Sequence, residues 1–247
     1  GADGTPLQAY LIKPSDFDST KQYPLLLYVY GGPGSQTVTD DWGGSRMLWH
    51  YYLAEELGIL VASVDNRGTG ARGYAFKTAT YRRLGQLEAQ DQIAAAKALA
   101  QRPYVDPDRI GIWGWSGGGS STAHLMFKYP SIYSTGIAVA GVYSQYLYDT
   151  IYQERYMGLP STNPQGFHDG SPINFAGGLK GNLLLIHGTG DDNVHYQSCE
   201  MLVNELIRQN KMFDMLSYPM RSHSINEREN TTYHLYQYMF RYWEEHL

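Results

Sequence analysis

Gly114-Trp115-Ser116-Gly117-Gly118 constrains the fold of this chain more than any other five residues. Before it stands Arg109-Ile110-Gly111-Ile112-Trp113, an apolar run suited to a buried strand. After it, Ser120 to Tyr129 reads as a helix stopped by Pro130. A strand that passes straight into a helix needs small residues around its turn, because a Cβ there meets neighbouring backbone. The serine at the apex is then held out of the fold. A serine hydroxyl is a weak nucleophile at neutral pH, and exposure together with a nearby base makes it a usable one. The strand, the Gly-x-Ser-x-Gly turn and the helix therefore point to a catalytic Ser116.

The rest of the chain agrees with that beginning. Apolar runs recur at 25–30, 59–64, 110–113, 136–140, 183–186 and 213–218, and short continuous runs of this kind suit strands covered on both faces. Helical patterns lie between them at 87–100, 198–209 and 231–247. No linker or internal repeat divides residues 1–247, so we expect one α/β domain, a doubly wound, mostly parallel sheet with helices on both faces. Hydrophobic residues make up 43%, enough for a sizeable core, and the net charge of -5 with no basic patch speaks against nucleic acid. No stretch is apolar enough to span a bilayer. The lone Cys199 rules out an intrachain disulfide framework or a cysteine zinc cluster and reads as a small buried helix residue. No metal or cofactor is expected. The chain starts Gly1-Ala2-Asp3-Gly4, without Met or signal sequence, and we expect it to come from a longer protein.

A Gly-x-Ser-x-Gly nucleophile on this fold has its partners in the order acid, then histidine, as in α/β-hydrolases. Leu183-Leu184-Leu185-Ile186 leads into His187-Gly188-Thr189-Gly190-Asp191-Asp192, which brings an acid to the carboxyl end of a strand. The residues alone do not separate Asp191 from Asp192. One would orient the histidine and the other could cap the next helix. Of eight histidines, His223 alone lies between the last strand and the last helix, where the base belongs. His124, His234 and His246 lie in helix patterns and suit packing or surface. His50 and His168 adjoin the wrong elements, and His187 and His195 would shape the acid loop. The N–H of Gly117 is one oxyanion donor, and the second should come from the Tyr30-Gly31-Gly32-Pro33-Gly34 loop. Gly68-Thr69-Gly70-Ala71-Arg72-Gly73 imitates a dinucleotide fingerprint, but no helix start follows and Glu88 and Asp91 fall inside a helix pattern. It reads as a turn at the rim of the site.

Several blocks together resemble the prolyl oligopeptidase family of serine peptidases, in particular its dipeptidyl type. They are Tyr30-Gly31-Gly32-Pro33-Gly34, Asp65-Asn66-Arg67-Gly68, Glu88 with Asp91-Gln92, the Ser116 elbow, Glu154-Arg155-Tyr156-Met157-Gly158, and His187 to His195. The resemblance implies an acyl-enzyme peptidase that releases Xaa-Pro or Xaa-Ala from peptide N-termini, with acylaminoacyl-peptidase or carboxylesterase chemistry as the alternative. It selects Asp191 as the acid and makes the Tyr30 hydroxyl the second oxyanion donor. It places Trp115, Val142, Tyr148, Tyr152, Asn193 and Val194 around the pocket for the residue before the cleaved bond. It also implies an N-terminal β-propeller, a possible homodimer and an exported or periplasmic location. Two positions depart from the family: Gly117 and Gln145 stand where aromatics usually wall the pocket.

Overall fold

Each of the six apolar runs overlaps a strand of the computed structural model, which describes all 247 residues, with one or two end residues outside in four of them. The strands are β1 (Gln8–Ile12), β2 (Tyr23–Tyr28), β3 (Leu60–Asp65), β4 (Val105–Trp115), β5 (Thr135–Val139), β6 (Asn182–Gly188) and β7 (Asp214–Tyr218). They form one sheet in the order β1-β3-β2-β4-β5-β6-β7, with β1 alone antiparallel. The fold is that of an α/β-hydrolase. Alternation along β2 explains why its run is apolar throughout. Leu25 and Leu27 enter the core on one face and Leu26 and Tyr28 the core on the other. Each such leucine, almost fully buried, contributes about 1.5–3 kcal/mol.

The helices are α1 (Gly44–Leu57), α2 (Tyr74–Thr78), α3 (Leu87–Ala100), α4 (Gly117–Lys128), α5 (Thr150–Met157), α6 (Pro164–Asp169), α7 (Gln197–Arg208) and α8 (Thr231–His246). Apolar residues of α3, α4 and α7 fill the first core, those of α1 and α8 the second. Cys199 is buried on α7, as expected for its small apolar side chain. On α8, Leu235, Met239, Tyr242 and Trp243 face the core, while Tyr233 is exposed. No helix is long and apolar enough to cross a membrane.

The strand order positions the site. The sheet grows from β2 to β3, then returns past β2 to β4, so the winding reverses between β2 and β4. Ligands of open α/β sheets bind outside the carboxyl ends of strands at such a switch point. β2 runs out toward Tyr30 there, and β4 ends one residue before Ser116.

Candidate active site

Ser116 sits at φ 58° and ψ -119°, a conformation that side-chain-bearing residues rarely adopt. Its N–H donates to the Val139 carbonyl (2.8 Å) and its own carbonyl accepts the Ser120 N–H (3.0 Å), so β5 and the first turn of α4 hold the strained turn. The small residues around it are required by contact. A Cβ on Gly114 or Gly118 would run into the Val29 carbonyl. Gly117 opens α4, and the first amides of a helix have no intrahelical acceptor and sit at its positive end. Its N–H is available to an anion forming at Ser116.

Tyr30 lies against this turn. A Cβ built on Gly117 would be 3.6 Å from Tyr30 Cζ. The loop after Tyr30 is braced by the glycine-rich segment that imitates a dinucleotide fingerprint. Gly34 N–H donates to the Gly68 carbonyl (2.9 Å) and Gly70 N–H to that of Ser35 (2.8 Å). Asn66 donates to the Gly31 carbonyl (3.1 Å). Arg67 in turn is clamped to the fully buried Asp91 of α3 through three hydrogen bonds, two from its guanidinium (2.6 and 2.9 Å) and one from its backbone N–H (2.9 Å). This segment opens no long helix; α2 spans five residues.

The acid and the histidine meet. His223 Nδ1 lies 2.7 Å from Asp191 Oδ2, while Oδ1 accepts the N–H groups of Asn193 (3.0 Å) and Val194 (2.8 Å). Asp191 is buried and Asp192 exposed, and no side chain caps α7. With Nδ1 donating to a carboxylate, the lone pair of the imidazole is left on Nε2. Trp115 Nε1–H donates to the His223 carbonyl (2.9 Å), tying the histidine loop to the residue before Ser116. Neither Ser116 Oγ nor His223 Nε2 has a hydrogen-bond partner within the protein, and such bonds commonly tighten only with substrate in place.

His187 does more than shape the acid loop. It is fully buried, its Nε2–H donates to the Val194 carbonyl (2.8 Å), and the same nitrogen lies 3.2 Å from Asp191 Oδ2. Burial alone would raise the Asp191 carboxyl, but hydrogen bonds from His187 and His223 outweigh it and hold the group well below the usual carboxylate range.

Ser116, Tyr30 and Gly117 open into a pocket of about 90 Å³ that Val142, Tyr148 and Tyr152 also line. Tyr148 and Tyr152 meet edge to face, 5.2 Å between centroids, and Tyr148 O–H donates to Asn193 Oδ1 (3.2 Å). Three expected wall residues do not line it, and Asn193 reaches it only through its bond to Tyr148. Val194 is fully buried in the acid loop and Trp115 is engaged with His223, so both support the machinery rather than the pocket. Gln145, by contrast, does line the pocket. It donates to the Gly170 carbonyl (2.9 Å) and accepts from Gln153 (2.7 Å). Two further lining residues depart from their sequence pattern, which casts His124 as packing and Glu88 as part of a false fingerprint. A signal for His124 does exist, since Gly117, Ser120, Ser121 and His124 recur at helical spacing from the elbow onward.

The model of the prolyl oligopeptidase family matches residues 45–247. "Probable dipeptidyl-aminopeptidase B" of Ajellomyces capsulatus (strain H88) is 43% identical over 228 residues, covering 91% of this chain and 24% of that protein. The protein of the same name from Trichophyton verrucosum (strain HKI 0517) is 42% identical over 227 residues, covering 90% of this chain and 25% of its own length. The crystal structure of Porphyromonas gingivalis dipeptidyl peptidase 4 superposes with a TM-score of 0.94 at 44% identity, covering 98% of this chain and 34% of that one. The chain thus spans about a quarter of the length of these curated relatives.

Proposed function

This chain belongs to the prolyl oligopeptidase family, and from that premise we propose that it is the catalytic domain of a longer serine-type dipeptidyl peptidase. The observation that carries the reading is the 2.7 Å contact between His223 Nδ1 and Asp191, in a loop tied to the strained Ser116 turn through Trp115. In this mechanism Ser116 Oγ attacks the carbonyl of the second residue of a peptide while His223 Nε2 takes its proton. Asp191 holds the imidazole in the right tautomer and stabilises the imidazolium. The Gly117 N–H and the Tyr30 hydroxyl stabilise the oxyanion. His223 then protonates the leaving amine, and water releases the acyl group by the same steps in reverse. Tyr148, Tyr152 and Val142 supply apolar contact to the residue before the cleaved bond.

A β-propeller upstream would hold the substrate N-terminus and count two residues, as the family resemblance implies. The test uses the full-length protein on chromogenic Gly-Pro and N-acylated Gly-Pro substrates. We expect cleavage of the free amine form only, and labelling of Ser116 by a fluorophosphonate. Equal cleavage of the blocked substrate would sink the dipeptidyl reading. Gly117 places no side chain against the pocket, where a Cβ would meet only the Tyr30 ring at 3.6 Å, and this favours one second reading, an esterase or acylaminoacyl-peptidase. Turnover of short p-nitrophenyl esters without peptide cleavage would establish it.

A further inference from the structure

We propose that the inner end of the pocket receives the side chain of a basic residue, lysine or arginine, placed before the cleaved bond. The inference rests on the peptidase reading above and names the substrate class of the same pocket.

The pocket does not end where a small ring would. From Ser116 its wall follows Gly117, Ser120, Ser121 and His124 along one face of α4, over about two helical turns or 10 Å. That is deeper than a proline ring fills. At Gly117 the path is open, since a Cβ there would meet only the Tyr30 ring, at 3.6 Å. The most buried part of the lining, the inner end, is polar. Glu88, His124 and Gln153 line it, and each is at least nine-tenths buried: 6%, 2% and 4% exposed.

The atoms left open there are mainly acceptors. Glu88 Oε2 and Gln153 Oε1 are buried without a hydrogen-bond partner. Gln145 offers little in competition, because its amide already donates to Gly170 and its carbonyl accepts from Gln153. The Gln92 amide donates to Val64 and Asn66. His124 has two unpartnered ring nitrogens, one donor and one acceptor in the neutral form. Glu88 is the only acidic residue of the lining, which contains no lysine or arginine. A ligand with several N–H groups and a positive charge fits this set. A neutral ring leaves it unpaired, and buried unpaired polar groups are costly.

The free pocket tolerates Glu88 by keeping it protonated. Burial pushes its carboxyl up to about 8, with Asp91 adding and its own N–H, that of Gly85 and Arg83 opposing in part. An arriving ammonium or guanidinium favours the ionised form and takes the place of that proton.

The experiment compares kcat/KM of the full-length protein for Gly-Lys, Gly-Gln, Gly-Ala and Gly-Pro p-nitroanilides. We expect Gly-Lys to exceed Gly-Gln by about tenfold or more, the scale of a hydrogen bond to a charged group. Glu88→Gln should lower the Lys-to-Ala ratio by a similar factor. Gly117→Tyr, which narrows the mouth of the pocket without touching its end, should lower the Lys-to-Pro ratio and gives the same answer if Glu88→Gln does not fold. Cleavage of Gly-Pro and Gly-Ala with Gly-Lys at or below Gly-Gln overturns the inference and leaves the peptidase reading standing. Absence of all four activities together with no fluorophosphonate labelling of Ser116 overturns the peptidase reading itself, and this inference with it.

Discussion

Two regions of this molecule bury carboxylates in opposite ways. At the rim, Asp191 takes four close contacts, from His223, His187 and two backbone amides. At the inner end of the pocket, Glu88 has an oxygen with no partner at all. Both side chains sit on a well-packed fold, so packing does not explain the difference. The acid of the rim is held by its partners before substrate arrives, which is what electrostatic preorganisation requires. The inner end leaves its hydrogen bonds unmade, as a subsite waiting for a ligand must. A buried polar group therefore says different things according to its partners. At Asp191 the satisfied carboxylate belongs to the machinery; at Glu88 the unsatisfied one lines the pocket.

The most severe way to break the rim is at its acid. Asp191→Asn keeps the shape, but its amide cannot accept on both sides as the carboxylate does. The imidazole then loses its tautomer, and kcat should fall by about 10⁴-fold with the fold intact by circular dichroism. Tyr30→Phe removes one proposed oxyanion donor and no packing. The loss should be about 10²–10³-fold in kcat with little change in KM. A comparable rise in KM with kcat preserved would instead make Tyr30 a binding residue.

The rim half of this contrast is legible in the amino-acid sequence; the inner end is not. The β6 run ending at His187-Gly188 and the position of His223 between β7 and α8 follow from strand spacing, and they bring the triad candidates to one rim. What the sequence hides has physical reasons. β1 is an edge strand with Gln8 and Ala9 exposed, so it lacks an apolar run. α1 buries only His50, Leu53 and Ala54 and shows no strong apolar stripe. The choice between Asp191 and Asp192 depends on which one burial reaches, and adjacent residues share the same sequence context. Glu88 looks like an ordinary helix acid, because nothing local records that Gly117 and Gln145 leave a channel toward it.

His187 offers a finer test of the rim. His187→Leu removes the buried donor that Val194 O and Asp191 Oδ2 share, while His223 keeps its own bond. We expect kcat to fall by about tenfold, as for losing one hydrogen bond to a charged group. His187→Gln, which retains an N–H near that place, should recover part of it. A second readout separates this from simple packing loss. Asp191 has a depressed carboxyl, so its contribution to stability is present at neutral pH and is lost as pH falls through the folded-state value. In His187→Leu the carboxyl is less depressed, so that acid-side loss should be smaller and complete at higher pH. An unchanged acid limb would reduce His187 to a packing residue.

The inner end titrates in the opposite sense, and this gives the smallest effect. The Glu88 carboxyl rises from an ordinary 4.5 to about 8 on folding. Between those values the native state holds a proton that the unfolded chain has released, so stability falls as pH rises from about 4.5 to 8. Water entering the open pocket solvates part of the carboxylate, so the slope should amount to on the order of 1 kcal/mol, or about 2–4 °C in Tm for a chain of this size. Glu88→Gln carries no titrating group there, and its stability should be flatter over that range. Asp191 cannot mimic the result, because its depressed carboxyl stays ionised throughout the window. An identical slope in wild type and Glu88→Gln would mean that Glu88 finds a partner in solution, and the contrast between the two regions would close.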